Sequence, residues 1–400
     1  MRNFSTVLNQ LLQFLPQTEF EKAINAFKSD RYEKYFKTKT LFVVHLYAQV
    51  RKKDSLRDIE CGLEQHKSKW YHVGIEKIKR STISEANNRV PYQVYETLFY
   101  AMLNKCHNIT QNTKFKFKNP LYALDSSIID LCLSVFDWAT FRRSKGGIKL
   151  HSLFDLKTQI PAFNVITSAK ESDVMVAKQE SFPLIPDSII TFDRAYVDFT
   201  LFQAYEDANV FFVTRSKENL RFELLGQQDI PKKKGLQFDQ IVQISDPKQR
   251  QKYPGKLRLI GYYDHDRNKP YIFITNNFKL AAITIAEIYK ARWQIELFFK
   301  WIKQNLKIKT FLGTSKNAVL SQIWVAMIYT LLLAYIKFQT SFSGSILNLS
   351  RIIQVSLFFR QHLIDLLGLN SPDPPEKQDL FQLSFCCLFY RTLVNVMTFV

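Results

Sequence analysis

The sequence predicts a mixed α/β protein with a helical region ahead of the sheet, and three observations carry that expectation. Up to about residue 110, positions of one helical face recur at spacings of three and four, as in Phe42, His45, Leu46, Gln49 and Val50, with few Gly or Pro between them. From residue 120 short β-rich runs replace that pattern. A long helix from about Ile283 to Lys307 then follows the strand-rich part.

The chain opens with MRNFSTVLNQLLQFLPQTEFEKA, which lacks the long apolar stretch and small-residue cleavage site of a signal peptide. Within the helical region, Thr82-Ile83-Ser84-Glu85 fits a capping box, so a helix is expected to begin there. Such a helix exposes Ser84, Asn87, Asn88 and Arg89, types that contact base edges and phosphates, behind the basic run Lys77, Lys79 and Arg80. An ordinary capped surface helix is the alternative reading of the same residues. Pro91, Pro120 and the polar run from Asn108 to Asn119 close the region, which places a boundary near 112 to 119.

The next runs are LYALDSSII, KLHSLFDL, QIPAFNVIT and SIITFD, separated by turn-like SKGG and DLKTQ, with AKESDVMVAKQE as a helix before the last. That order suggests a mixed sheet carrying helices. A second strand-rich stretch covers about 208 to 277, including NVFFVTR, FDQIVQIS, KLRLIGYY and KPYIFITN. Asp264-His265-Asp266 falls between two of these strands and reads as a hairpin turn, not a metal cluster. Ala318 to Ile336 runs 19 residues without a charge, near the length that spans a bilayer, but it holds Ser321, Gln322 and Thr330 and follows a basic helix. A buried core helix is the preferred reading. The apolar tail FQLSFCCLFYRTLVNVMTFV reads equally as a final strand, a helix or an extension.

With 400 residues, 46% hydrophobic and 23% charged, the chain can bury a large core and is too long for one ordinary domain, which excludes a disordered or low-complexity protein. Its 55 Lys and Arg against 36 Asp and Glu leave a net charge of +19, so nucleic acid is the first candidate partner and an anionic membrane surface the second. The excess is concentrated at the front: residues 1–120 hold 21 basic and 11 acidic side chains, a net of +10, as expected of a docking module. Five scattered cysteines without a C-x-x-C spacing give neither a disulfide framework nor a zinc site, and a reducing cytosol is expected. The chain has no G-x-x-x-x-G-K-[ST] and no G-x-G-x-x-G, and its 11 glycines argue against a phosphate-cradling loop for nucleotide hydrolysis.

Three acids stand out. Asp125 interrupts the apolar run LYALDSSIID and Asp193 ends SIITFD, and an acid in such a strand is costly unless it is paired or bound to a cation. The third lies on the long helix. At about 100° per residue from Tyr289, Arg292, Glu296 and Lys303 fall within about 60° of one another, forming a polar stripe beside an apolar face of Ile295, Phe298, Phe299 and Ile302. A solvated charge stripe is the plain alternative for that helix taken alone. Three acids meeting at one place repel each other unless divalent cations neutralise them, and oxygen ligands favour Mg²⁺ or Mn²⁺. Two such ions about 4 Å apart suit in-line phosphodiester displacement. The seven His are dispersed, and His151 reads as a satisfied core or edge histidine.

Asp125, Asp193 and Glu296, together with Tyr289-x2-Arg292-x3-Glu296-x6-Lys303, resemble the acids and the Y-R-E-K signature of the IS4 family of insertion-sequence transposases. KDSLRDIECGL, RSTISEANNR and GGIKLHSLFDL are similar to other parts of that family, so the resemblance covers roughly residues 3 to 366. It implies a ribonuclease-H-like (DDE transposase/integrase) catalytic core with a β-rich insertion at about 208–277, preceded by a helical DNA-binding domain. The domains expected are then 1–115, 116–340 and a C-terminal helical region and tail at 341–400.

The resemblance further implies that Asp125, Asp193 and Glu296 bind two Mg²⁺ (or Mn²⁺) ions and cut and join transposon ends. Tyr289, Arg292 and Lys303 would hold phosphates beside the cut, and relatives seat a flipped base near this stripe. Trp293 and Trp138 are candidates to stack that base, with core packing as the alternative for each. The basic loop Arg142, Arg143 and Lys145 could touch backbone phosphates or be a solvated turn. Double-stranded DNA (terminal inverted repeats and target) and a second copy of the chain are the implied partners, with no membrane and a cytoplasmic, nucleoid-associated place. The tail departs from the family, whose members tend to stop soon after a stretch like QDLFQLS. A structure-specific nuclease and an inactive, transposase-derived DNA-binding protein are the competing readings.

Overall fold

The computed structural model describes residues 5–369 except 108–114, 116, 143–144, 181, 231–234 and 309; the apolar tail lies outside the described residues. Six helices lead the chain: α1 (Val7–Gln13), α2 (Gln17–Ala26), α3 (Thr38–Val50), α4 (Leu56–Glu64), α5 (Arg80–Arg89) and α6 (Gln93–His107). Thr6 and Ser55 cap α1 and α4 through their hydroxyls. Helix α5 departs from the capping-box expectation. It begins at Arg80, with Lys79 as N-cap and no side-chain cap, so Thr82 sits inside the first turn. Burial of Ile78 and Ile83 stabilises that earlier start.

The sheet strands are β1 (Leu121–Leu131), β2 (Thr140–Arg142), β3 (Lys145–Asp155), β4 (Ile160–Ser168), β5 (Ile189–Phe192), β6 (Phe211–Arg215), β7 (Phe222–Gln227), β8 (Leu236–Ile244), β9 (Leu257–Asp264) and β10 (Lys269–Thr275). Helix α7 (Asp173–Gln179) precedes β5, α8 (Phe199–Asp207) joins β5 to β6, and α9 (Pro247–Lys252) joins β8 to β9. The strands lie in the order β2-β3-β1-β5-β6-β10-β9-β8-β7, with β4 paired to β3. Strands β1, β5 and β6 run parallel, and every other pairing is antiparallel.

Two expectations change here. Lys145, Gly146 and Gly147 of the turn-like SKGG belong to β3, where Gly146 pairs with Leu131 and Thr140; a Cβ on Gly146 would stand 2.9 Å from the Leu131 carbonyl oxygen. The strand-rich stretch after residue 208 continues the central sheet, because β6 pairs with β5 on one side and β10 on the other. The turn at Asp264 is as expected: its carboxylate accepts from the backbone N–H groups of Asp266 and Arg267 between β9 and β10.

Helices α10 (Ala282–Ala291) and α11 (Trp293–Asn305) replace the single long helix expected from Ile283 to Lys307. The break is one residue, Arg292, whose backbone stays helical while the local bonds tighten to Arg292 N–H→Tyr289 O and Ile295 N–H→Arg292 O. Helix α12 (Lys316–Gln339) is the apolar segment, and 94% of its most apolar window is buried within the protein. Helices α13 (Ile346–Ser356) and α14 (Leu363–Leu366) complete the described chain.

Alternation along the strands divides the core. Leu121, Ala123 and Ile189 join the apolar cluster that contains α10, α11, α12 and the N-terminal helices, whereas Leu124, Ile190 and Phe192 face the cluster built around α8. Phe298 of α11 meets Phe154 of β3 with ring centroids 5.0 Å apart, and burying such a side chain contributes about 2–3 kcal/mol. That packing holds α11 across the sheet at the height where β1 and β5 end their apolar runs.

Candidate active site

Register brings the two aspartates together. Leu124 of β1 pairs in parallel with Phe192 of β5, so Asp125, the next residue of β1, and Asp193, the first residue past β5, come side by side where that parallel pairing ends. Adjacent strands lie about 4.8 Å apart. By alternation both acids follow Ala123 and Thr191 on the face that carries α10 and α11. The carboxyl ends of adjacent parallel strands are where open α/β sheets place their ligands.

Glu296 arrives from α11, and Arg292 joins it to β1. The Arg292 guanidinium lies 3.3 Å from Asp125 Oδ2 and 2.5 Å from Glu296 Oε1, with its Cζ 5.6 Å from the Tyr289 ring centroid. Burial pushes the Asp125 carboxyl up to about 6; the Ser126 N–H and Arg292 oppose that rise, while the nearby charges of Glu296 and Asp193 add to it. The three acids therefore share one electrostatic neighbourhood. Asp193 accepts from the Arg194 N–H at 2.6 Å. The Tyr289 ring packs on Phe273 at 5.0 Å, and burial raises its hydroxyl. Lys303, half-buried near the end of α11, lies farther along the same helix.

Among the described residues no three His, Cys, Asp or Glu side chains form a ready metal cluster. At this site the guanidinium occupies the space between two of the carboxylates it joins. The donor set still suits a hard divalent cation: all three acids present oxygen, and Asp125 is destabilised in its charged form even with the Ser126 N–H and Arg292 there to offset it.

Supporting groups behind Asp125 carry no motif that marks them in the sequence. Ser126 Oγ donates to Asp173 Oδ1 at 2.8 Å, and Lys149 Nζ lies 3.1 Å from the same oxygen. His151 bonds Thr167 Oγ1 through Nε2 at 2.9 Å, with Nδ1 3.7 Å from Asp173. Burial lowers His151 to about 4 despite that carboxylate, so it is a neutral, satisfied core histidine at neutral pH.

The remaining candidates sort differently. Arg80 and Ser84 are exposed on α5. Asn87 does not present its amide to a ligand: it is 2% exposed and its Oδ1 lies 2.7 Å from His45 Nε2, because the α5 face bearing Ile83 and Ala86 packs inward. Arg89 is turned back onto the protein, donating to the Phe36 and Ser29 carbonyls and lying 3.2 Å from Glu33. Asn88 accepts from Ser315 Oγ at 2.8 Å. Arg142 and Lys145 end strands β2 and begin β3, but their side chains and Arg143 lie outside the described residues. Trp138 donates to the Thr314 carbonyl at 2.8 Å. Trp293 is not core-packed; it is 42% exposed with Arg267 4.9 Å from its ring centroid, directly beside Arg292 in the chain.

Comparison with known proteins adds an independent finding. A family model described as the transposase DDE domain matches residues 116–332, and one described as a domain of unknown function matches residues 3–76. The chain is 30% identical over 296 residues to the putative transposase y4zB of Sinorhizobium fredii, covering 73% of this chain and 80% of that protein. It is 28% identical over 294 residues to the probable transposase for insertion sequence element IS5377 of Geobacillus stearothermophilus, covering 72% and 75%. A third relative, the putative transposase for insertion sequence element IS4SA of Synechocystis, is 23% identical over 70% of this chain and 78% of its own length.

Proposed function

The chain belongs to the transposase DDE-domain family, and from that premise we propose that Asp125, Asp193 and Glu296 are its catalytic carboxylates. The protein is a DNA transposase, an enzyme that binds and cleaves DNA, and its family works with divalent metal ions. The observation that supports the site assignment is that Arg292 joins Asp125 of β1 to Glu296 of α11 while Asp193, just past the paired strand β5, adds its charge to the same neighbourhood.

Parallel β1, β5 and β6 flanked by antiparallel β3 and β4 favour a ribonuclease-H-like core, with β7 to β10, residues 222–275, as the part of the expected 208–277 stretch that forms the β-rich insertion. The helices of residues 1–115 would serve DNA binding, residues 116–340 catalysis, and 341–400 a C-terminal region. A dimer that pairs two terminal inverted repeats before joining them to target DNA, acting in the cytoplasm at the nucleoid, completes the reading.

Two Mg²⁺ (or Mn²⁺) ions held by the three acids would supply charge neutralisation and activate the attacking oxygen. The residues of the chain do the rest. Asp125 and Asp193 are fixed by strand register, and Glu296 by α11 packing on the sheet, so the acids are oriented before substrate arrives. The Arg292 fork, joined to Asp125 and Glu296, is of the geometry that pairs with a phosphate in two parallel bonds, and Lys303 offers a point charge farther along the same helix. Exposed Trp293 offers a face on which an unstacked base could lie. Arg80 and Ser84, exposed on α5, would meet DNA.

The test incubates the purified protein with the DNA flanking its gene and Mg²⁺, beside Glu296→Gln. The wild-type protein is expected to cut at the repeat ends, and the variant at least about a hundredfold more slowly, as for loss of a group acting on the transition state. Equal cleavage by the two overturns the assignment.

A further inference from the structure

Away from the acids, the turn between α3 and α4 borders an open cavity of about 350 Å³ whose walls include Arg51, Lys52 and Lys53. It lies within the matched region of unknown function. We propose that this cavity is a phosphate pocket that grips the DNA backbone about four base pairs from the catalytic carboxylates. The inference rests on the transposase reading above and extends it to a second contact.

The pocket is built, not incidental. Lys52 takes a left-handed backbone conformation, φ +53°, at the position after the end of α3 where glycine is usual, so a cation stands there at a conformational cost. Gly62 of α4 leaves the space that Lys53 fills: a Cβ there would strike the Tyr47 hydroxyl and stand 2.9 Å from Lys53 Nζ. The Arg51 guanidinium is anchored by the Gln354 carbonyl at 2.7 Å. Two carboxylates also line the cavity, Asp54 and Asp58, but Asp54 is paired with Lys307. Three cations therefore line the cavity with two acids, and Lys307 from outside it offsets one of those acids. The same field is felt by His66, whose protonation is disfavoured by burial and then by Arg51, Lys69 and Lys53.

The pocket is fixed to the catalytic helix. Lys307, just past the end of α11, pairs with Asp54, and its N–H donates to Gln49 Oε1 at 3.1 Å. From Glu296 to the helix end at Asn305 the axis advances about 14 Å at ~1.5 Å per residue. Duplex DNA rises ~3.4 Å per base pair, so that span corresponds to about four base pairs. A backbone lying along Arg292 and Lys303 would reach the pocket at that distance from the cut.

The experiment uses the full chain and the gene-flanking duplex that carries the terminal repeat. Binding is measured against salt for the wild type and for Lys52→Ala/Lys53→Ala, and alkylation of exposed Cys61, which lines the pocket, is timed with and without DNA. The double variant is expected to bind at least about fivefold more weakly, with a log–log salt slope smaller by about one for each lost phosphate contact. Duplex is expected to slow wild-type Cys61 alkylation several-fold. A neutral methylphosphonate about four nucleotides from the cut should weaken the wild type and leave the double variant unaffected. An unchanged slope, an unprotected Cys61 or an equal methylphosphonate effect overturns the pocket while wild-type cleavage keeps the transposase reading intact. Failure of the wild type both to bind and to cleave overturns both.

Discussion

Arg292 and Glu296, one turn apart across the α10–α11 break, meet at 2.5 Å between Nη2 and Oε1, and the same guanidinium reaches Asp125 at 3.3 Å. A cation from the chain itself thus stands where the carboxylates would hold a divalent ion. Its Nε is buried without a hydrogen-bond partner, so this arrangement leaves part of the fork unsatisfied.

Replacing Arg292 with Gln should tighten Mn²⁺ binding to the DNA-free protein by roughly tenfold, about 1.4 kcal/mol, since a competing positive charge is removed. Paramagnetic titration of Mn²⁺ measures this directly. Affinity that is unchanged or weaker would show that Arg292 does not compete with the metal.

Asp125 makes metal-free stability depend on pH. Its folded-state value, about 6, lies above the unfolded value near 3.8, so its contribution is fully present below that lower value and is lost as pH rises through 6. Each pH unit separating the two values is worth ~1.36 kcal/mol, so Asp125→Asn should stabilise the protein at pH 8 in chelator by up to about 3 kcal/mol and change little at pH 4. Urea denaturation at the two pH values is the measurement, and a variant less stable than wild type at pH 8 contradicts it.

His45 acts in the opposite sense. It is 2% exposed and burial lowers it to about 4, with the Asn87 hydrogen bond opposing that shift. The folded value lies below the unfolded 6.5, so its contribution is present above pH 6.5 and falls as the pH drops toward 4, by about 3 kcal/mol over the window. His45→Gln, which keeps a donor toward Asn87, should flatten that part of the stability profile. An identical slope in both proteins assigns the acid sensitivity elsewhere.

Asp239 and Arg258 form a buried fork, Nε–Oδ1 2.8 Å and Nη2–Oδ2 2.6 Å, with Nη1 donating to the Asn277 and Leu280 carbonyls. Those carbonyls belong to the segment leading into α10, which carries Tyr289. Asp239→Ala should cost about 3–5 kcal/mol by leaving the guanidinium unpaired, whereas Asp239→Leu with Arg258→Met should cost markedly less. Chemical denaturation of the two variants would give the reverse order if burial of an unpaired charge were not the cause.

Local pattern made much of this protein legible. The apolar, β-rich character of LYALDSSII and SIITFD marked β1 and β5, and the uncharged run from Ala318 to Ile336 marked a helix buried along most of its length. The acids that interrupt or end those runs were visible because a charge in an apolar strand needs a partner. Each of those signals is contained in one short stretch of chain, so local residue order alone carries it.

Only the tertiary structure decided which residues meet. Asp125 and Asp193 become neighbours through the pairing of Leu124 with Phe192, a register set by long-range burial on both sheet faces. Asn87 looked like a reader of bases until α5 turned it toward His45, and Arg51, Lys52 and Lys53 became a pocket only when Gly62 made room for Lys53 and the end of α11 docked beside them. Side-chain spacing along one strand or helix is written in the chain, but the approach of separate elements follows from packing a shared core, which no single segment encodes.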